Sequence, residues 1–195
     1  MNKLRMIAVA LVLLLGVSVM SAQTTGFKKG LEVFGGPGLS KDSKYNFGLA
    51  VNAGSQVSEK FYIGGGIAYK YAECLYFKGF VGNKSTESRT TRNLLPIYAR
   101  AKYNFTTSSV APFLSVDAGY NISLDNNEHK NIEGFFFEPQ VGLDFTMGSL
   151  SSFVTLGVNV QNYHYDYFSL ETTLDGDREK KYMIGMFNIH FGFWF

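Results

Sequence analysis

From Met183 to Phe195 the chain reads M-I-G-M-F-N-I-H-F-G-F-W-F. Odd positions carry Met183, Phe187, Ile189, Phe191, Phe193 and Phe195, broken only by Gly185, while Asn188, His190, Gly192 and Trp194 fill even positions. A period of two predicts a strand, and one of its faces is far too apolar for water. Seven further segments alternate in the same way. Gly30–Ser40 sets Leu31, Val33 and Leu39 against Glu32, Phe34 and Gly36, and Tyr45–Val57 sets Phe47, Leu49 and Val51 against Asn46, Gly48 and Asn52. Phe61–Glu73 opposes Ile63, Ile67 and Tyr69 to Gly64, Gly66 and Lys70, and Asn93–Phe105 opposes Leu95, Ile97 and Tyr103 to Arg100, Lys102 and Asn104. Pro112–Leu124 carries Asp117 and Asn121 on its polar face, Ile132–Thr146 carries Glu138, Gln140 and Asp144, and Ser152–Tyr167 carries Thr155, Asn159 and Gln161.

The connections alternate in length as well. Ser58–Lys60, Thr106–Ala111 and Met147–Ser151 are short. Cys74–Arg92, Asp125–Asn131 and Ser169–Lys180 are long and rich in charge, Thr, Ser and Asn, with Lys41–Lys44 a short exception. Strands greasy on one face, with short turns at one end and long loops at the other, predict an all-β, eight-stranded antiparallel up-and-down transmembrane β-barrel. Lipid requires this closure, because unpaired backbone groups in hydrocarbon cost several kcal/mol each. A soluble barrel would carry its apolar face inside. Pro37, Pro96 and Pro139 fall within predicted strands, and Pro139, near mid-strand, predicts a bulge.

Lys3 and Arg5 precede an apolar run, Met6–Met20, that ends at the small residues Ser21-Ala22, a pattern predicting a signal peptide over 1–22 and a single mature domain over 23–195. The run is short for a span of about 20 residues. The formal net charge of +2 rests on Lys3 and Arg5, so the exported chain is neutral and its charge gives no argument for nucleic acid. Its one cysteine, Cys74, forms no intramolecular disulfide. An aromatic content of 16% suits belts at the membrane interfaces. The outer belt is expected at Tyr69, Tyr71, Tyr163, Tyr165 and Tyr167, and the inner one at Tyr103, Phe105, Phe145, Phe153, Trp194 and Phe195.

The eight segments, the export signal and the ending Phe187-x-Ile189-x-Phe191-x-Phe193-x-Phe195 resemble the small outer-membrane β-barrel family, which includes the OmpA barrel domain and OmpX. The resemblance implies residence in the outer membrane of a Gram-negative bacterium and a monomer contacting lipid and lipopolysaccharide. It also implies that Phe187, Ile189, Phe191, Phe193 and Phe195 form the signal read by the barrel assembly machinery, with periplasmic chaperones acting beforehand. No wall-binding domain follows Phe195, so wall tethering is not implied.

Inward positions carry Glu32, Lys70, Arg100, Lys102, Asp117, Glu138, Asp144 and His190. An eight-stranded barrel is just wide enough for side chains to fill it, so these charges are expected to pair. Counting from the turns places Arg100 beside Asp117 and Asp117 beside Glu138. Arg100 is therefore expected between two carboxylates, as a structural plug or, alternatively, beside a proton-sharing Asp117–Glu138 pair. His129, His164 and His190 raise lipid A chemistry, His164 most of all, with Ser169 and Glu171 nearby. An aromatic girdle explains the same stretch. No metal-ligand spacing is present. Gly35-Gly36-Pro37-Gly38 and Gly64-Gly65-Gly66 lack a P-loop ending, so they are read as room for large neighbours.

The expected function is a non-enzymatic structural or surface-interaction barrel without a cofactor, its lumen largely plugged, meeting any extracellular partner through 74–92 and 169–180. The alternatives are a narrow porin and a lipid A acyltransferase or deacylase at the outer rim.

Overall fold

The computed structural model describes residues 26–41, 43–81, 84–125, 133–147, 150–169 and 178–195, with side chains described outside 75–90, 150 and 163–182. The expected signal peptide over 1–22 and His129 lie outside the described residues.

Eight antiparallel strands close a barrel: β1 Phe27–Pro37, β2 Ser43–Gln56, β3 Phe61–Val81, β4 Lys84–Asn104, β5 Val110–Ser123, β6 Gly134–Met147, β7 Leu150–Ser169 and β8 Arg178–Trp194. Each strand pairs with its sequence neighbour, and β8 returns to β1. The alternating pattern decides which face goes where. Leu31, Leu49, Ile63, Ile97, Leu114, Phe137, Leu156 and Ile189 are exposed on the outside, and Glu32, Lys70, Arg100, Asp117, Glu138 and His190 are buried inside. A continuous apolar exterior around a charged interior reverses the arrangement of a water-soluble barrel, and only lipid satisfies it.

Two expectations change here. First, within Cys74–Arg92 and Ser169–Lys180, residues 74–81, 84–92, 169 and 178–180 are strand, not loop. β3 and β4 run on together from Cys74↔Thr90 to Val81↔Lys84, and β7 and β8 remain paired to Tyr167↔Arg178. Thr and Ser alternation makes adequate strand in water, whereas a search for lipid-facing apolar positions stops at the membrane edge. Beyond the barrel, β3 also pairs in parallel with β7, from Phe77↔Asp166 to Phe80↔Ser169, so these strands from opposite sides of the ring meet at its loop end.

Second, Pro139 makes no bulge. Val116↔Pro139 sits in an unbroken register with β5, and the β6–β7 register is the same on both sides of Glu138 and Pro139, where pairs are simply missing. Pro96 leaves the same two-residue gap in the β3–β4 ladder. The missing donor is absorbed by omitting local pairs, which costs less than displacing every side chain that follows.

Candidate functional site

The barrel lumen is filled in three layers. At the loop end Ala72, Cys74, Leu94, Ile184 and Met186 form a buried apolar cluster. At the turn end Tyr62, Phe113, Phe153 and Trp194 form an aromatic floor. Phe153 and Trp194, 2% and 4% exposed, thus leave the expected inner belt and face inward. Their strand parity outweighs the general preference of aromatics for the interface, and Gly192 opens the space that the Phe153 ring fills. Tyr103, Phe105 and Phe195 do remain exposed at the rim.

Between these layers lies the charged network. Arg100 on β4 donates Nε to Asp117 Oδ1 at 2.7 Å and Nη2 to Oδ2 at 2.6 Å, a bidentate grip on its register neighbour on β5. Its Nη1 reaches Glu32 Oε2 on β1 at 2.7 Å. Arg100 therefore stands between two carboxylates, but the second is Glu32 rather than Glu138. Glu138 is Asp117's register partner, yet it turns to His190, Asn159 and Asn188. Asp117 is occupied by Arg100 and Gln140. The expected Asp117–Glu138 proton-sharing pair gives way because each carboxylate has better donors.

The second link between carboxylates runs through a histidine. His190 Nδ1 lies 2.5 Å from Glu32 Oε1, and Nε2 lies 2.6 Å from Glu138 Oε1. Both ring nitrogens of His190 therefore face a carboxylate oxygen, and the ring bridges Glu32 to Glu138. The carboxylates face opposite ring nitrogens and share no centre for a metal. Among the described residues no cluster of three or more His, Cys, Asp and Glu could hold one.

Amides complete the network. Asn52 bridges Glu32 to Tyr98, donating to the former at 2.9 Å and accepting from the Tyr98 hydroxyl at 2.7 Å. Lys70 donates to Gln161 Oε1 at 3.0 Å and Asn159 Oδ1 at 3.3 Å. Gly66 leaves room for Tyr98, whose Oη would sit 2.7 Å from an added Cβ. These amides occupy the polar face of their strands, so parity was the signal available for them in the sequence. At the floor, Lys102 pairs with Asp144 at 2.5 Å, and Asn104 holds the same carboxylate at 2.7 Å. The ammonium stands over the Phe113 ring at 4.1 Å, a cation–π contact. All eight charged residues singled out in the sequence are buried, in two groups: Lys102 with Asp144 at the floor, and the other six in the middle. The space left among Glu32, Lys70, Tyr98, Asp117, Glu138 and His190 is about 20 Å³, little more than the roughly 10–15 Å³ one water needs.

His164, Ser169 and Glu171 lie outside the described side chains, so the rim reading rests on sequence alone.

No protein-family model matches the chain, and no curated protein matches it. Among solved structures, Neisserial surface protein A aligns over 87% of this chain and 96% of its own, at 14% identity and a TM-score of 0.57. Outer membrane protein OprG from Pseudomonas aeruginosa aligns over 88% of this chain and 96% of its own, at 11% identity and a TM-score of 0.53. The common ground is the fold, the closed eight-stranded antiparallel barrel of small outer-membrane proteins.

Proposed function

We propose that this chain is a non-enzymatic barrel of a Gram-negative outer membrane whose lumen is shut and whose work is done on its outer surface. The observation that carries this reading is the filling of the lumen along its length. An apolar layer, a paired charge network and an aromatic floor leave space for about one water. An ion crossing it would have to strip Glu32 and Asp117 from Arg100 and displace Trp194 and Phe153. On this reading lipid and lipopolysaccharide contact the apolar wall. Outside partners meet the paired β3–β4 and β7–β8 extensions, which carry the segments 74–92 and 169–180. Phe187, Ile189, Phe191, Phe193 and Phe195 serve as the signal for barrel assembly, after delivery by periplasmic chaperones.

Single-channel recording tests the shut lumen. Refolded Gln23–Phe195, shown folded by heat-modifiable gel mobility, is expected to give no discrete steps in a planar bilayer. Reproducible steps from folded protein would replace this reading with the narrow porin, and Arg100 would become its selectivity residue.

A further inference from the structure

At the loop end β2 and β6 stop short of their neighbours. The β2–β3 ladder ends at Ser43↔Cys74 and the β6–β7 ladder at Phe136↔Gln161, whereas β3 continues to Val81 and β7 to Ser169. Each long strand is thereby left with one edge whose backbone donors and acceptors need a partner. The two edges find each other, pairing in parallel from Phe77↔Asp166 to Phe80↔Ser169. With β4 on one side and β8 on the other, the extensions make one four-stranded strip in the order β4-β3-β7-β8.

Register fixes which positions share a face of this strip. One row, Glu87, Lys78, Tyr167 and Arg178, crosses all four strands. Two-residue steps along the strands add Arg89 and Ser85 on β4, Tyr165 and Ser169 on β7, and Lys180 on β8 to that face. The opposite face takes Lys84 and Lys181 with Asp166 and Glu179. Its charges balance, whereas the first face sets Lys78, Arg89, Arg178 and Lys180 against Glu87 alone among the described residues. This segregation is not inherited from the barrel. The first face joins odd positions of β4, which nearer the turns face lipid at Ile97 and Tyr103, to odd positions of β7, which there face the lumen at Phe153, Thr155 and Asn159. A register shift between Leu75 and Phe77 brings Lys78 into the row.

The basic positions are interleaved with tyrosine and serine. Tyr167 lies between Lys78 and Arg178, at about 5 Å per strand, and the Tyr165–Lys180 pair lies about 7 Å along. Cations so spaced favour a polymer with acidic groups on successive units. An acidic peptide would use the cations and leave the tyrosine and serine positions without a role. Sugar rings use both, because their flat C–H faces cover aromatic rings and their hydroxyls bond phenol and serine oxygens. We infer that this face of the β4-β3-β7-β8 strip binds an acidic polysaccharide, one carrying sulfate or carboxylate groups. The inference rests on the proposed function, in which outside partners meet these extensions, and gives the partner its chemistry.

Binding of folded Gln23–Phe195 in lipid nanodiscs to immobilised heparin tests this, with neutral dextran, polyglutamate and single-stranded poly-dT as comparison polymers. Heparin is expected to bind, more weakly as salt rises, and dextran is not. Arg178→Gln/Lys180→Gln should weaken heparin binding roughly tenfold. Lys84→Gln/Lys181→Gln removes the same charge from the opposite face and should weaken it less than about twofold. Lys180 and Lys181 are chain neighbours, so a general charge effect would treat the two double variants alike. If either double variant lacks heat-modifiable mobility, Arg89→Gln and Lys84→Gln make the same comparison between faces of β4. Equal losses from the two faces would overturn the proposal, as would polyglutamate or poly-dT binding as tightly as heparin. No binding of heparin by the parent would overturn it alone and leave the shut barrel, which conductance tests, standing. Heparin binding that none of these substitutions weakens would place the partner off the extensions and overturn that part of the proposed function as well.

Discussion

The barrel buries charge in two places, and the two are built differently. In the middle of the lumen Arg100 holds Glu32 and Asp117, and His190 joins Glu32 to Glu138, so the charged contacts tie β4 to β5 and β1 and join β8 to β1 and β6. At the floor Lys102 and Asp144 pair beside Asn104, under aromatic rings. Both ion pairs are buried. The first is shared, so one cation answers for two buried carboxylates. The second is a single pair near the membrane's edge, its cation also resting on ring faces. Burial alone does not set what an ion pair contributes. How many charges each partner leaves stranded does.

Arg100→Met is the most direct way to break the comparison. It strands Glu32 and Asp117 together, and removing one partner of a buried pair costs about 3–5 kcal/mol. For a chain of this size that lowers the midpoint of heat-modifiable mobility by roughly 10–15 °C. Adding Asp117→Asn should recover part of the loss, because one stranded charge is then neutral. A single variant as stable as the parent would mean that the network packs the lumen without electrostatic stakes.

Lys102→Met is expected to be milder. The methionine keeps an apolar contact with Phe113, Asp144 keeps Asn104, and the carboxylate lies near the turn end, where water is close. A loss of about 1–3 kcal/mol, or roughly 3–8 °C by the same gel assay, would preserve the contrast. A loss equal to that of Arg100→Met would erase it, and the floor would then be as dry as the middle.

Much of this was legible in the chain and part was not, for a geometric reason. A period of two assigns each residue to the lumen or the lipid, so the inward charges and the outward Leu, Ile and Phe could be read directly. Counting from a turn gives register neighbours, which is how Arg100 and Asp117 meet. Contacts across the lumen depend on how far the sheet shears as it closes, and no local pattern carries that. The Glu32–Arg100 and Glu32–His190 contacts were therefore out of reach; Glu138 does stand opposite Asp117, as counting placed it, but its bonds to His190, Asn159 and Asn188 could not be read. Trp194 shows a different failure. Its even position pointed inward, but its ring chemistry suggested the interface, and position was the stronger constraint. The extensions of β3, β4, β7 and β8 were hidden because strands in water need no greasy face.

The smallest expected effect lies outside the lumen, and it shows what burial adds. Lys44 pairs with Glu73 at 3.1 Å, close in length to the buried contacts, but the Lys44 side chain is 57% exposed. Water and salt screen such a pair, and it is worth about 0–1 kcal/mol. Lys44→Gln should therefore shift the mobility midpoint by less than about 3 °C, and raising the salt should shrink even that. On the proposed shut lumen, which admits no ions, the same salt change should leave the cost of Arg100→Met unaltered. If salt softened both costs alike, the middle of the lumen would be wet, and the distinction between its shared network and an ordinary surface pair would fall.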